Sequence, residues 1–263
     1  MARRLRLVTW NCRSGSVATR LDQLRALTPD LVFLQECDPA CGSGVAGVVC
    51  SRAIKTRKGI ALCAASRACR CTARTLSAGS GRAAVAATVL RPIRFTAIGI
   101  WAQATRYVDD VTCTLRAHAA LLRAAPAVVF GDFNSGTSLR HFGSSSRHHR
   151  RLVDEFDALG LVSAYHAFHD VAHGCEGDAT YFHQFNAAKP WHIDFCFVPR
   201  SWASRLIDVA VIDGDAWRRQ SDHLPLLVDV DVRDAATRRA GLSPDRGAPY
   251  ATPERRSPSR RSR

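Results

Sequence analysis

The sequence is poor in lysine, has no Cys-x-x-Cys pair, and carries no long apolar run. Each shortage excludes something. Without a stretch of about 18 apolar residues, no segment can span a bilayer as a helix. The start, MARRLRLVTWNC, lacks the roughly 7–15-residue apolar region of a secretory signal, so a cytoplasmic protein without stable membrane insertion is expected. Ten cysteines are present, but the closest two, Cys69 and Cys71, are not at zinc-knuckle spacing. Reduced thiols acting as small core hydrophobes are the expectation.

What is abundant is arginine. The formal charge is +14, and lysine contributes only at Lys55, Lys58 and Lys189. Between Arg233 and Arg263 nine arginines face Asp234, Asp245 and Glu254, so the tail carries 9 − 3 = +6 and the body +8. A basic body attracts anions such as nucleic acid, phosphate esters or headgroups through long-range steering. An arginine-rich, alanine-rich composition is also what a GC-biased genome produces, and both readings stay open.

The 263 residues, 46% hydrophobic, suit one large domain. Residues 1–232 are assigned to it, and residues 233–263 to a basic Arg/Ser/Pro-rich tail too polar to order itself. Arg3 to Trp10 alternates as a strand leading into Asn11. Thr19 to Leu27 has helical spacing and Pro29 stops it. Leu31 to Leu34 is a short buried strand running into Gln35 and Glu36. Gly59–Ala65, Ala83–Leu90 and Phe95–Trp101 read as consecutive strands. Asp109–Ala124 reads as a helix facing the core through Val111, Leu115, His118 and Leu122. Ala127–Phe130 is a strand, Leu139–Arg151 a polar basic loop, Leu152–Leu159 a helix, and Ile193–Val198 and Leu226–Val232 late strands. Several strands with interspersed helices imply a layered α/β sandwich.

Five buried strands adjoin groups that are costly to bury unless paired, protonated or metal-bound. Asn11 follows LVTW, Glu36 follows LVFLQ, Asp132 and Asn134 follow AVVFG, Asp194 opens IDFCFV, and Asp222 with His223 precedes LPLLVDV. One such residue is ordinarily a turn or cap. Five together point to strand ends converging at one mouth, where carboxylates share a cation and a water.

WN, LQE, GDFN, HIDF and SDHLP follow one another as in the endonuclease/exonuclease/phosphatase family, which the chain resembles from Leu5 to about Val232. The resemblance implies a four-layer α/β/β/α sandwich of two packed, mostly antiparallel sheets, with the site at one end. It implies a divalent-metal-dependent phosphodiesterase using Mg2+ or Mn2+, with Glu36 as metal ligand supported by Asn11 and Asp222. Oxygen donors with open water positions suit those ions. Asp132 takes the proton of the attacking water, and Asn134 holds that water or a phosphate oxygen. His223 faces the phosphate while Asp194 orients its ring and favours its charged form. Gln103, Tyr107, Thr180 and His192 are placed among the substrate contacts, with Tyr181 beside Thr180 on the site wall.

Three positions depart from the family pattern. Arg13 stands where an acidic residue is usual, two after the WN asparagine. Trp101 followed by Gln103 stands where a histidine is common. His192 and the loop histidines His141, His148 and His149 are of metal-ligand type, but the loop with Arg147, Arg150 and Arg151 reads as an anion-attracting face. DNA is the expected substrate, with Trp101, Tyr107 and Trp191 as stacking surfaces, and a monomer is expected. An inositol phosphate or phospholipid headgroup is the second reading, and a catalytically silent nucleic-acid-binding module the third.

Overall fold

The computed structural model describes residues 4–39, 47–52, 58–76, 84–103, 107–137, 139 and 145–233, with the backbone alone for 52 and 145–148. Strand β1 (Arg4–Asn11) puts Leu5 and Leu7 on one face and Val8 and Trp10 on the other, all buried. A strand covered on both sides must lie inside a layered structure. Helix α1 (Val17–Leu24) is capped by Ser16, whose hydroxyl accepts from the Thr19 N–H at 3.1 Å. It returns the chain to β2 (Leu31–Cys37), which pairs with β1 in parallel. Strands β3 (Val48–Arg52) and β4 (Gly59–Ala64) extend this sheet antiparallel.

The second sheet grows the same way. β5 (Arg70–Arg74), β6 (Ala84–Arg91) and β7 (Phe95–Trp101) are successive antiparallel strands. Helices α2 (Tyr107–Ala117) and α3 (Ala119–Ala124) lead to β8 (Ala127–Asp132), again parallel to its predecessor. Then come α4 (Ser145–Ala158), β9 (Leu161–Ser163), α5 (Ala164–His169), the small hairpin β10 (Tyr181–Phe182) and β11 (Pro190–Trp191), and β12 (Asp194–Pro199). β13 (Leu206–Val211), α6 (Asp215–Arg218) and β14 (Leu226–Asp231) complete the first sheet. Its order is β13-β14-β1-β2-β4-β3, and the second runs β5-β6-β7-β8-β12-β9.

Three apolar clusters make this four layers. Leu7, Phe33, Leu62, Ala97, Phe130 and Val228 lie between the sheets. Val129, Phe195 and Phe197 of the second sheet meet Val111, Leu115, Leu152 and Phe156 of the helices. Val8, Trp10, Val32 and Leu34 meet Val17 and Leu24 outside the first sheet. Each fully buried Phe of the central layer, such as Phe33 and Phe130, contributes about 1.5–3 kcal/mol.

The structure corrects four local expectations. The helix from Asp109 breaks at His118, which has φ −114° and ψ 14°. The segment read as a loop from Leu139 becomes helical at Ser145. Edge strands β3, β5 and β13 were not expected; β5 (RCTAR) is nearly all exposed and shows no apolar run, whereas β13 (LIDVAV) is apolar with only Val209 buried. Trp101 packs in the inter-sheet core at 8% exposure, which removes it as a stacking surface. The tail from Asp234 onward, Arg140 and His141 lie outside the described residues, as does the side chain of His148.

Candidate active site

Parallel pairing puts two strand C-termini side by side. In the first sheet Asn11 lies opposite Gln35, and in the second Trp101 lies opposite Asp132. The antiparallel neighbours add their beginnings at the same edge: Asp194 pairs with Asp132, and β14 starts beside the end of β1, with Leu226 opposite Thr9. The polar strand ends therefore meet at one end of the sandwich.

Local irregularity aims two of the side chains. The register of β2 against β4 shifts between Gln35 and Cys37, so Glu36 sits in a bulge with φ +60°. Asn134, with φ +48°, turns back so that its N–H and its Nδ2 donate to the two oxygens of Asp132, at 2.9 and 3.1 Å. Gly131 has φ +143°, and a Cβ there would stand 1.9 Å from the Ile100 carbonyl oxygen. A glycine is therefore required in front of Asp132.

Asp132 is the centre of the constellation. Its Oδ2 accepts from Asn11 Nδ2 at 2.9 Å, and the same amide donates to Glu36 Oε1 at 3.1 Å. His223 Nε2 faces Asp132 Oδ2 at 3.9 Å, too far for a hydrogen bond. Its Nδ1 meets Asp194 Oδ2 at 2.9 Å. Thr180 Oγ1 accepts from the N–H groups of Ile193 and Asp194 at 3.0 and 3.1 Å, fixing the start of β12. Ser221 Oγ donates to Asn11 O and accepts from His223 N, and Trp10 Nε1 donates to His223 O. These bonds clamp the Ser221–His223 turn onto β1.

Burial raises the Asp132 carboxyl while charged His223 lowers it, leaving it at about 7. Burial lowers the His223 imidazole, but Asp194 and Asp132 outweigh it and hold the ring at about 9. A base poised near neutrality thus faces an acid that stays charged there.

The expected residues divide clearly. Asn11, Glu36, Asp132, Asn134, Asp194 and His223 are brought together, with Thr180 supporting Asp194. Asp222 stands close enough to help raise His223 and Tyr181. Gln103 follows Ala102, whose carbonyl oxygen accepts from Asn134 Nδ2 at 2.9 Å. Tyr107 is 38% exposed at the start of α2. His192 is turned away: it is 2% exposed, its Nδ1 donates to Asp178 O at 2.8 Å, and its ring packs on Tyr165 and Phe195. It precedes the regular strand, so alternation does not keep it on the Asp194 side.

Sequence reasoning missed Lys58, whose ammonium pairs with Glu36 Oε2, and His183 and Phe185 in the turn of the small hairpin. Tyr181 stacks beside His223 with centroids 4.4 Å apart, and His183 and Trp191 continue the ring cluster. Arg13 lies over Phe185 at 4.6 Å, and Arg218 over Phe182 at 4.2 Å. Aromatic residues clustered in YFHQF were the available signal.

The donor set fits a hard dication. The Glu36 carboxylate supplies oxygen; nearby, one donor atom from each of Asp132, Asp194 and His223 lies within 4.8 Å of the others, and Asp194 Oδ1 is buried with no hydrogen-bond partner among the described residues, an environment that positive charge would stabilise. The Asn11 amide oxygen already accepts from Arg13 N at 3.1 Å, so one lone pair is left for an ion.

Two six-stranded sheets back to back, with a carboxylate–imidazole pair facing a second carboxylate at their end, define a phosphoester hydrolase. A model of the endonuclease/exonuclease/phosphatase family matches residues 8–223, and the chain belongs to that family. Among solved structures it is similar to an AP endonuclease from Archaeoglobus fulgidus, at TM-score 0.66 and 20% identity over 87% of this chain and 100% of that one. It is similar to AP endonuclease LMAP from Leishmania major at TM-score 0.67 and 15% identity, over 88% and 89%. It is also similar to the 3′ phosphatase NExo from Neisseria, bound to a product DNA hairpin, at TM-score 0.62 and 23% identity, over 86% and 99%. No curated protein matches the sequence.

Proposed function

We propose that this chain hydrolyses phosphodiester bonds of DNA, as a magnesium- or manganese-dependent endo- or exonuclease. The observation that carries the substrate is the ring cluster over His223. Tyr181 lies beside the imidazole, His183 and Trp191 pack on Tyr181, and 45%-exposed Phe185 is edged by Arg13. Rings with interleaved cations suit bases and a phosphate backbone, and the NExo relative was solved with a DNA product.

In this reading Asp132 accepts the proton of a water whose oxygen bonds to phosphorus as the opposite P–O bond breaks. Asn134, its amide held by Ala102 O and Asp132, positions that water. His223 donates Nε2–H to a phosphate oxygen as negative charge grows there, and Asp194 holds the ring charged and oriented. Glu36, with Asn11 and Asp222, would hold the ion, which when bound supplies positive charge to the phosphate and acidifies water.

The test is purified protein with magnesium against supercoiled plasmid, abasic duplex, bis-(p-nitrophenyl) phosphate and inositol phosphates. Plasmid or abasic duplex should be cut. Release from inositol phosphates alone would replace DNA as substrate, and plasmid binding without any cleavage would make the chain a binding module.

A further inference from the structure

A second cluster lies behind the candidate site, on the other side of Asp194. His149 from α4, His166 from α5, His173 and Glu176 from the following loop, and His192 ahead of β12 surround Phe195. We propose that His166, His173 and Glu176 form a second metal site, built for zinc, with the unpartnered Nε2 of His149 or His192 as the fourth ligand.

The hydrogen bonds argue for it first. His192 Nδ1 lies 2.8 Å from the Asp178 carbonyl oxygen, which can only accept, so Nδ1 carries the proton and Nε2 of the neutral ring presents a lone pair. That Nε2 is buried with no hydrogen-bond partner among the described residues. His149 has Nδ1 at 3.0 Å from Ser135 Oγ, a hydroxyl that can accept from it, and its Nε2 is buried with no hydrogen-bond partner among the described residues. His166 has Nδ1 at 2.7 Å from Ser163 Oγ and Nε2 at 2.9 Å from Glu176 Oε1. His173 Nδ1 is likewise buried and unpartnered. One imidazole nitrogen tethered to an oxygen while the other points inward is how metal-binding histidines are oriented.

Distance agrees. One donor atom from each of His166, His173 and Glu176 lies within 4.8 Å of the others, and the edge of a tetrahedral zinc shell with 2.0–2.1 Å bonds is about 3.3 Å; the His166 and His173 rings, stacked with centroids 3.5 Å apart, would turn out of that stack to aim both nitrogens at one ion. Glu176, its side chain 4% exposed, accepts from His166 Nε2 and from the Gly174 N–H, so a carboxylate oxygen already lies beside the imidazoles. Nitrogen-rich donors select zinc or another late transition metal over magnesium.

The ion would be structural. Ser135, which tethers His149, follows Asn134, and His192 is two residues before Asp194. One ion would therefore tie α5 and the 170–180 loop to one of the two segments that present Asn134 and Asp194. The sequence hides this because the ligands are scattered, with His192 43 residues after His149.

The experiment uses the untagged full chain, stripped with chelator and titrated with zinc chloride, with magnesium chloride as control. One zinc per chain should bind and raise Tm, with no comparable rise from magnesium. His166→Ala and His173→Ala should lose that zinc, while Asp194→Asn keeps it. Absence of zinc binding, zinc retained in both histidine variants, or zinc lost in Asp194→Asn would each overturn the site. Should the variants not fold, X-ray absorption at the zinc edge of the wild-type protein decides: a shell dominated by imidazoles supports the site, and a shell with a single imidazole assigns the ion to Asp132, Asp194 and His223 instead.

Discussion

His223 and Asp194 are joined by a buried 2.9 Å contact between Nδ1 and Oδ2, Asp194 at the start of β12 in the second sheet and His223 in the turn ahead of β14 in the first. The pair leaves Nε2 directed at the space it shares with Asp132.

Asp194→Asn should therefore keep the fold and lose turnover by roughly 10²–10⁴-fold. The pH–rate profile gives the sharper test. The partners hold His223 up at about 9, so it is protonated below that value and activity falls as pH rises through it. With the carboxylate gone, the alkaline limb of kcat/KM should move down toward the ordinary histidine value of about 6.5. An unmoved limb would show that His223 is not the titrating acid.

Lys58 and Glu36 share an ion pair, and a dication would compete with the ammonium for the same carboxylate. Lys58→Met should lower the half-saturating magnesium concentration by about fivefold, on the order of 1 kcal/mol for a partly exposed pair. Glu36→Gln should raise it. Titration of the rate with magnesium gives both signs, and equal shifts in the same direction would refute the competition.

Gly131 and Gly99 both lie against Phe33, but they differ in what a methyl group would strike. At Gly99 the obstacle is the Phe33 ring, 2.3 Å from the added Cβ, and at Gly131 it is the Ile100 carbonyl oxygen at 1.9 Å, with φ +143° besides. Phe33→Leu should partly rescue Gly99→Ala in urea melts and leave Gly131→Ala unrescued. Gly131→Ala should cost more than about 3 kcal/mol, from roughly 1–3 kcal/mol of backbone strain and overpacking of similar size.

Phe185, 45% exposed under Arg13, can stack on a base without touching the reacting phosphate. Phe185→Ala should weaken oligonucleotide binding by about 1–3 kcal/mol and leave kcat on bis-(p-nitrophenyl) phosphate unchanged. A loss on the small ester would place the ring in the catalytic centre.

Cysteine alkylation separates core from surface. Among the described residues Cys12, Cys37, Cys63, Cys69 and Cys196 are buried, and burial raises each thiol, Cys12 and Cys69 to about 12. Cys50, Cys113 and Cys175 are exposed, and burial raises the Cys50 thiol. Native iodoacetamide treatment followed by mass spectrometry should modify the exposed three, Cys50 the slowest, and spare the buried five, since thiolate and access are both required.

Much of the site was legible because strand ends announce themselves locally. VVFGDFN and LVFLQE show an apolar run stopping at a carboxylate, and burial makes that costly without a reason. His192 was misplaced for the same local cause: its nearness to Asp194 implied a shared face, and the irregular backbone ahead of β12 sends it elsewhere. Lys58 was overlooked because nothing near it in the chain indicates Glu36.

The sequence alone determined which chemical groups stand at the ends of buried strands, since period-two burial and chain breaks depend only on neighbours along the chain. The tertiary structure decided the rest. Two parallel pairings, β1 with β2 and β7 with β8, gather those ends at one edge, the bulge at Glu36 turns its carboxylate inward, and four scattered histidines close around Phe195. Such meetings depend on how sheets stack and helices cover them, a balance of burial and backbone hydrogen bonding across the whole molecule that no short stretch contains.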